Sequence, residues 1–244
     1  MTAARPRPAF YALRTGGWRD YVTILHLPYT LWNLSYVAVG AALAPRMNWA
    51  VWGWTTLAFA LALGVGAHAL DELSGRPLQT QIPARVLVAL AVASISAACA
   101  IGIAIAISRT LWLLVFVAVG AFFVVAYNLE LFGGRFHNGL WLSFAWGAFP
   151  VLTAYFASAR TLHAAAFAGA GYAFAAIWAQ RLLSTPVRLV RRRVVAVEGS
   201  VRLDDGTTLP VDADTLTAAP EMALKALAVA SPLIAVALLL FRAG

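Results

Sequence analysis

In a chain with few charges, three ionisable side chains stand together: His68, Asp71 and Glu72, with Arg76 close behind. They belong to the stretch Ala67-His68-Ala69-Leu70-Asp71-Glu72-Leu73-Ser74-Gly75-Arg76-Pro77-Leu78. On a helix, a spacing of three puts His68 and Asp71 on one face, with Glu72 one turn beyond His68. Gly75 and Pro77 then stop the helix. A histidine and two carboxylates can hold a divalent cation. Mg²⁺ would favour Asp71 and Glu72 together with the phosphate oxygens of a ligand. The group can also be read as an interfacial cap, with Arg76 paired to Asp71 or Glu72, but that leaves the histidine unexplained. Charges cost roughly 2.5–3.5 kcal/mol at the centre of a bilayer and less at its interface. We therefore read His68, Asp71 and Glu72 as candidate catalytic residues, with Arg76 beside them.

A bilayer is the expected setting because of the rest of the chain. Of 244 residues, 62% are hydrophobic and 11% charged, and the mean hydropathy is +0.79. Soluble domains are about 45–50% apolar and about 25% charged, so lipid must solvate much of this surface. The net charge of +8 then reads as headgroup contact rather than nucleic-acid binding. Cys99 is the single cysteine, which excludes a disulfide framework or a cysteine metal cluster. Ala42-Leu43-Ala44 mimics a signal cleavage site, but about 24 apolar residues precede it, more than such a segment holds, and Pro45 would follow the cut. The run reads as a retained helix.

Spans need about 20 mostly apolar residues, and seven runs qualify: Tyr21–Ala44, Trp49–Leu70, Ala84–Ile107, Leu111–Phe132, Leu140–Ala159, Leu162–Leu183 and Ala223–Phe241. None alternates as a barrel strand would. The expected fold is an all-α polytopic transmembrane bundle of about seven helices. Its parts are an N-terminal segment over 1–20, six helices over 21–184, a connector over 185–222 and a seventh helix over 223–244.

Orientation follows the basic residues. With the N-terminus inside, Arg5, Arg7, Arg14, Arg19, Arg76, Arg85, Arg135, Arg181, Arg188, Arg191, Arg192, Arg193, Arg202 and Lys225 are cytoplasmic, and Arg46, Arg109, Arg160 and Arg242 are outside. Fourteen against four predicts a multi-pass protein of the cell membrane with its N-terminus and site loops cytoplasmic. The outer connectors hold no acidic residue, so a site that uses carboxylates must open inward. In the long sixth connector, Arg191-Arg192-Arg193 reads as a headgroup anchor. Val194–Leu203 and Thr207–Val211 flank Asp205-Gly206, which predicts a small β-hairpin on the cytoplasmic face. Asp204, Asp205, Asp212 and Asp214 fit turns and strand ends better than metal ligation.

Further polar residues suggest a cavity. His26, Asn33 and Tyr36 are spaced by seven and three on the first helix and share a face; they line a cavity or bond between helices. Glu130 and His137 flank Gly133-Gly134 and could approach the His68 loop. Gly64-Val65-Gly66 and Gly169-Ala170-Gly171 suit close helix packing.

These motifs resemble the UbiA-type intramembrane prenyltransferase superfamily, whose pattern after the second helix is N-D-x-x-D-x-x-x-D followed by R-P. In register, Ala67 stands for the Asn, His68 for the first Asp, Asp71 for the second and Gly75 for the third, with Arg76-Pro77 matching the R-P. Leu27-Pro28-Tyr29-Thr30 in helix one, Tyr127-Asn128 closing helix four and Gly147-Ala148-Phe149-Pro150 in helix five also fit. Where the family has a second Asp-rich motif, this chain reads Gln180-Arg181-Leu182-Leu183-Ser184-Thr185-Pro186-Val187-Arg188, without a carboxylate. It also has seven runs where nine helices are usual.

The resemblance implies an isoprenoid diphosphate substrate, Mg²⁺ bound with the diphosphate, and Asn33, Arg76, Tyr127, Asn128, Gln180, Arg181 and Arg188 as substrate contacts, Arg76 gripping phosphate. Arg181 and Arg188 either hold phosphate directly, as guanidinium does bidentately, or anchor the chain by the positive-inside rule. The expected function is ionisation of an isoprenoid diphosphate for prenyl transfer or terpene cyclisation. The alternative is a lipid- or partner-binding protein on a degenerate scaffold. A transporter ranks last, because no inverted repeat is evident and no ionisable residue lies mid-helix.

Overall fold

The computed structural model describes residues 8–244, so Arg5 and Arg7, counted above, lie outside the described residues. The described residues are mainly helical, with short loops and one hairpin. In order come α1 (Trp18–Ile24), α2 (Leu27–Leu43), α3 (Trp49–Phe59), α4 (His68–Leu73), α5 (Ala84–Arg109), α6 (Leu113–Asn128), α7 (Gly139–Ser143), α8 (Phe149–Ala159), α9 (Ala164–Arg193), β1 (Ser200–Arg202), β2 (Thr208–Pro210) and α10 (Ala213–Ala243). A π-helical stretch, Ala60–Ala67, joins α3 to α4 without a break, and another, Phe144–Ala148, joins α7 to α8.

Among the described residues, four continuous helices are long and apolar enough to cross a membrane: Trp49–Leu73, Ala84–Arg109, Gly139–Ala159 and Ala213–Ala243. Their outer surface is apolar, with Ile107 73%, Leu240 67% and Val92 61% exposed. Water would not tolerate so continuous a patch, whereas lipid would. This is a helical membrane protein.

Prolines explain where the helices depart from the hydropathy runs. The first run is two helices, because Pro28 has no amide hydrogen to donate and its ring crowds the carbonyl four residues back, that of Ile24. The chain kinks at Leu25-His26, and His26 takes a left-handed conformation with φ 45°. Pro150 follows the Phe144–Ala148 stretch, in which the Phe149 amide bonds to the Phe144 carbonyl five residues back. Pro186, by contrast, is absorbed within α9, and Pro220 and Pro232 within α10. The connector expected over 185–222 is therefore only 194–212, and both flanking helices reach about 45 Å, longer than a bilayer core. Their extensions are tied by Arg191, which pairs two of its guanidinium nitrogens, Nε and Nη2, with the Glu221 carboxylate, Nη2 at 2.8 Å from Oε2.

The hairpin forms where expected. Val201 pairs with Leu209 antiparallel, and Gly206 supplies the turn at φ 86°. The Thr207 amide donates to Asp205 Oδ1 at 2.8 Å, and Asp212 caps α10 in a reciprocal box with Thr215. These hydrogen bonds hold both carboxyls below the usual range, from Thr207 on Asp205 and Thr215 on Asp212. Both aspartates are turn and cap residues.

Small residues let helices meet backbone to backbone. A Cβ on Gly40 of α2 would overlap the Val151 carbonyl oxygen of α8, and one on Gly147 would lie 2.5 Å from the Ala173 carbonyl oxygen of α9. Gly66 and Gly169 are similarly crowded, by Ile95 and Leu43 side chains, whereas Gly171 has open space.

Two arginines at the end opposite the His68 loop cap neighbouring helices. Arg109 donates to the Ala157 and Ser158 carbonyls at 3.3 and 2.8 Å, and Arg242 to those of Ala42 and Ala44, both at 2.7 Å. These contacts bring the C-terminal ends of α2 and α10 together, and likewise those of α5 and α8. Arg242→Ala should lower stability by about 2 kcal/mol, the scale of charge-assisted bonds to helix-end carbonyls. Thermal unfolding in detergent measures it; an unchanged midpoint would remove Arg242 from the fold's supports.

Candidate functional site

A polar cavity of about 210 Å³ opens where α2, α4, α6, α9 and α10 meet under the N-terminal segment. Of the ten site residues expected from sequence, eight line it: Asn33, His68, Asp71, Tyr127, Asn128, Gln180, Arg181 and Arg188. They come from four helices separated by up to 155 residues of chain, so helix packing rather than sequence proximity gathers them.

Each wall has a local cause. The Pro28 kink turns His26 off its helix and into the cavity, where its ring stacks on His68 at 4.1 Å and 12°. The Tyr11 hydroxyl lies 2.9 Å from His26 Nδ1, and burial pushes the Tyr11 phenol well above its ordinary pKa. His68 Nδ1 lies 3.2 Å from the Gly64 carbonyl oxygen. A carbonyl only accepts, so Nδ1 carries a proton, and in the neutral ring Nε2 keeps a lone pair. The π-helical turn before His68 widens the helix, a device frequent at functional sites, and it sets the face on which His68 and Asp71 emerge. His137 reaches the same cavity from the fourth connector, stacked on Tyr127 at 4.4 Å. Glu130, 3.9 Å from His137 Nδ1, is exposed.

Two expectations are corrected. Glu72 is buried, 1% exposed, and its carboxylate points away from the cavity. Oε2 accepts from the Leu78 amide at 3.0 Å; Oε1 accepts from the Thr80 amide and hydroxyl, both at 2.9 Å. With its oxygens bound to the loop, the Glu72 carboxylate supports that loop and does not line the cavity. Arg76 pairs with neither acid. Held at φ 54°, it donates Nη1 to the Thr80 and Ile82 carbonyls at 3.2 and 2.6 Å. Both residues shape the loop over 74–82, which Asp20 joins to the N-terminal segment by accepting from the Gly16 and Gln81 amides. The stripe on the first helix also divides: Asn33 faces the cavity, whereas Tyr36 is fully buried and bonds Trp32.

The donor set does not suit the Mg²⁺ that the resemblance implies. Among the described residues, no three His, Cys, Asp or Glu side chains are grouped to hold a metal ion. Two carboxylates line the cavity, and Glu221 is taken by Arg191. Asp71 alone remains, where Mg²⁺ would want several oxygens in octahedral array.

Sequence reasoning passed over Tyr11, Tyr29 and Arg192, which also line the cavity. Arg192 was readable only from a helix that continues through Pro186: steps of seven and four from Arg181 to Arg188 to Arg192 return to one face. Beyond the apolar part of α9, burial lowers the Arg188 pKa, helped by the like charges of Arg181 and Arg192.

An apolar cleft of about 100 Å³ adjoins the cavity and shares Trp146 with it. Phe59, Leu63, Phe116, Phe123 and Phe149 help to line it, with Cys99 as one more small wall residue. Polar head space thus borders hydrocarbon space across one indole. No family model, curated protein or solved structure matches this chain.

Proposed function

We propose that the protein is an integral membrane enzyme that ionises an isoprenoid diphosphate for prenyl transfer or cyclisation at a cytoplasm-facing cavity. One observation carries this reading: eight residues chosen for that chemistry from sequence line a single cavity that abuts an apolar cleft. The diphosphate head would lie against the arginines of α9, and the hydrocarbon tail would pass Trp146 into the cleft. The allylic C–O bond breaks, its electron pair leaving with the diphosphate oxygen. The carbocation forms beside the rings of Tyr29, Tyr127 and Trp146, whose faces favour a cation. Asp71 lends negative charge to the cation, and His68 Nε2 accepts the proton released when a nucleophile or an internal double bond captures it. Asn33, Asn128 and Gln180 would orient the head group.

The same reading takes the seven runs as seven spans, with the N-terminus cytoplasmic and the C-terminus outside. It is supported by the basic cavity wall lying at one end of the bundle and the capping residues Arg109 and Arg242 at the other. A binding-only role for a lipid phosphate is the second reading, favoured by Asp71 being the one unpaired carboxylate in the cavity lining among the described residues. Purified protein given farnesyl, geranylgeranyl and longer prenyl diphosphates should release pyrophosphate. Binding without release at every chain length would sink the enzymatic reading and leave the second.

A further inference from the structure

We propose that Arg181, Arg188 and Arg192 form a clamp that holds the phosphate group of an anionic ligand directly, without a bridging divalent cation. This rests on the reading above and specifies how that site takes its ligand.

Three guanidiniums project from one face of α9 into the cavity, and among the described residues none of them makes an ion pair. Every nearby acid but one has another partner: Glu221 is bound by Arg191, and Glu72 by the loop amides. Asp71 alone faces three positive charges. Like charges gathered in a partly buried space raise the energy of the empty site, and a multiply charged anion relieves it. Guanidinium matches phosphate bidentately, so the wall supplies the charge that a metal would otherwise bring. Asp71 would then repel the ligand's phosphate slightly, whereas in a metal site it would be indispensable.

The three consecutive arginines provide an internal control. Arg191 is engaged by Glu221, while Arg192 and Arg193 are both exposed and only Arg192 also lines the cavity. A headgroup anchor would use Arg192 and Arg193 alike; a clamp uses Arg192.

The test is calorimetric binding of farnesyl diphosphate to the full-length protein in detergent, with EDTA or with Mg²⁺. Farnesol and inorganic pyrophosphate serve as tail-only and head-only probes. The clamp predicts affinity that is unchanged by EDTA, a loss of about tenfold or more for Arg188→Gln and Arg192→Gln, and none for Arg193→Gln. It also predicts that Asp71→Asn binds at least as tightly as the parent, a result that stands even if the arginine variants fail to fold. Pyrophosphate binding as tightly as farnesyl diphosphate would support the clamp with free diphosphate, not a lipid, as ligand. Binding that EDTA abolishes and Mg²⁺ restores, or that Asp71→Asn destroys, would overturn the clamp and leave the isoprenoid reading intact. Folded protein that binds neither diphosphate in either condition would overturn both.

Discussion

Gly40→Ala is expected to cost at least about 3 kcal/mol, beyond the usual range for a single added methyl in a packed interior. The reason is the nature of the obstacle. The new Cβ would meet the Val151 carbonyl oxygen, which is backbone inside α8 and cannot swing aside as a side-chain tip can. The two helices would have to separate. In lipid no hydrophobic force restores them, since association depends on the close packing that small residues permit. Separation would also spread the site, because α2 carries Asn33 and the helix continuous with α8 carries Trp146. The expected result is a lower unfolding temperature in detergent and a loss of ligand binding in the same variant. Gly171→Ala is the control: it has open space around it, and alanine favours a helix by up to about 1 kcal/mol. A Gly40→Ala protein that melts with its parent would mean that α2 and α8 do not approach as described.

What sequence could and could not reveal divides along physical lines. Hydropathy located a helix in every apolar run, because desolvation of a peptide backbone leaves few alternatives to a helix in lipid. Asp205-Gly206 located the hairpin, since its turn needs a residue that tolerates positive φ. Prolines were harder. Pro28 breaks its helix and Pro186 does not, and the difference depends on packing that local sequence does not state. Misreading Pro186 hid the continuation of α9 and with it Arg192. The candidate site was legible as a set of residues, since polar groups in an apolar chain are few and must converge somewhere. Their directions were not. A single residue step turns a helix by about 100°, so two adjacent acids face different ways, and the π-helical stretch before His68 sets which face meets the cavity.

That difference yields the second large expectation. Glu72→Gln should destabilise the protein by about 2–3 kcal/mol, and Asp71→Asn by almost nothing. Three donors converge on the Glu72 carboxylate. A glutamine keeps one accepting oxygen but turns an NH₂ toward the Leu78 or Thr80 amide, donor against donor, and unpaired buried donors cost about 1–3 kcal/mol each, more beside charge. The loop over 74–82 would loosen, and with it the joint to Asp20 and the N-terminal segment above the cavity. Asp71 has no hydrogen bond among the described side chains and looks into the cavity, so its amide leaves the fold intact. If the proposed chemistry holds, Asp71→Asn instead lowers turnover by about 100-fold or more while diphosphate binding persists. Thermal unfolding and pyrophosphate release, measured on both variants, separate the roles. Should Glu72→Gln melt like the parent yet lose turnover, Glu72 would have to be counted with His68 and Asp71 as part of the chemistry, and the loop it holds would need another support.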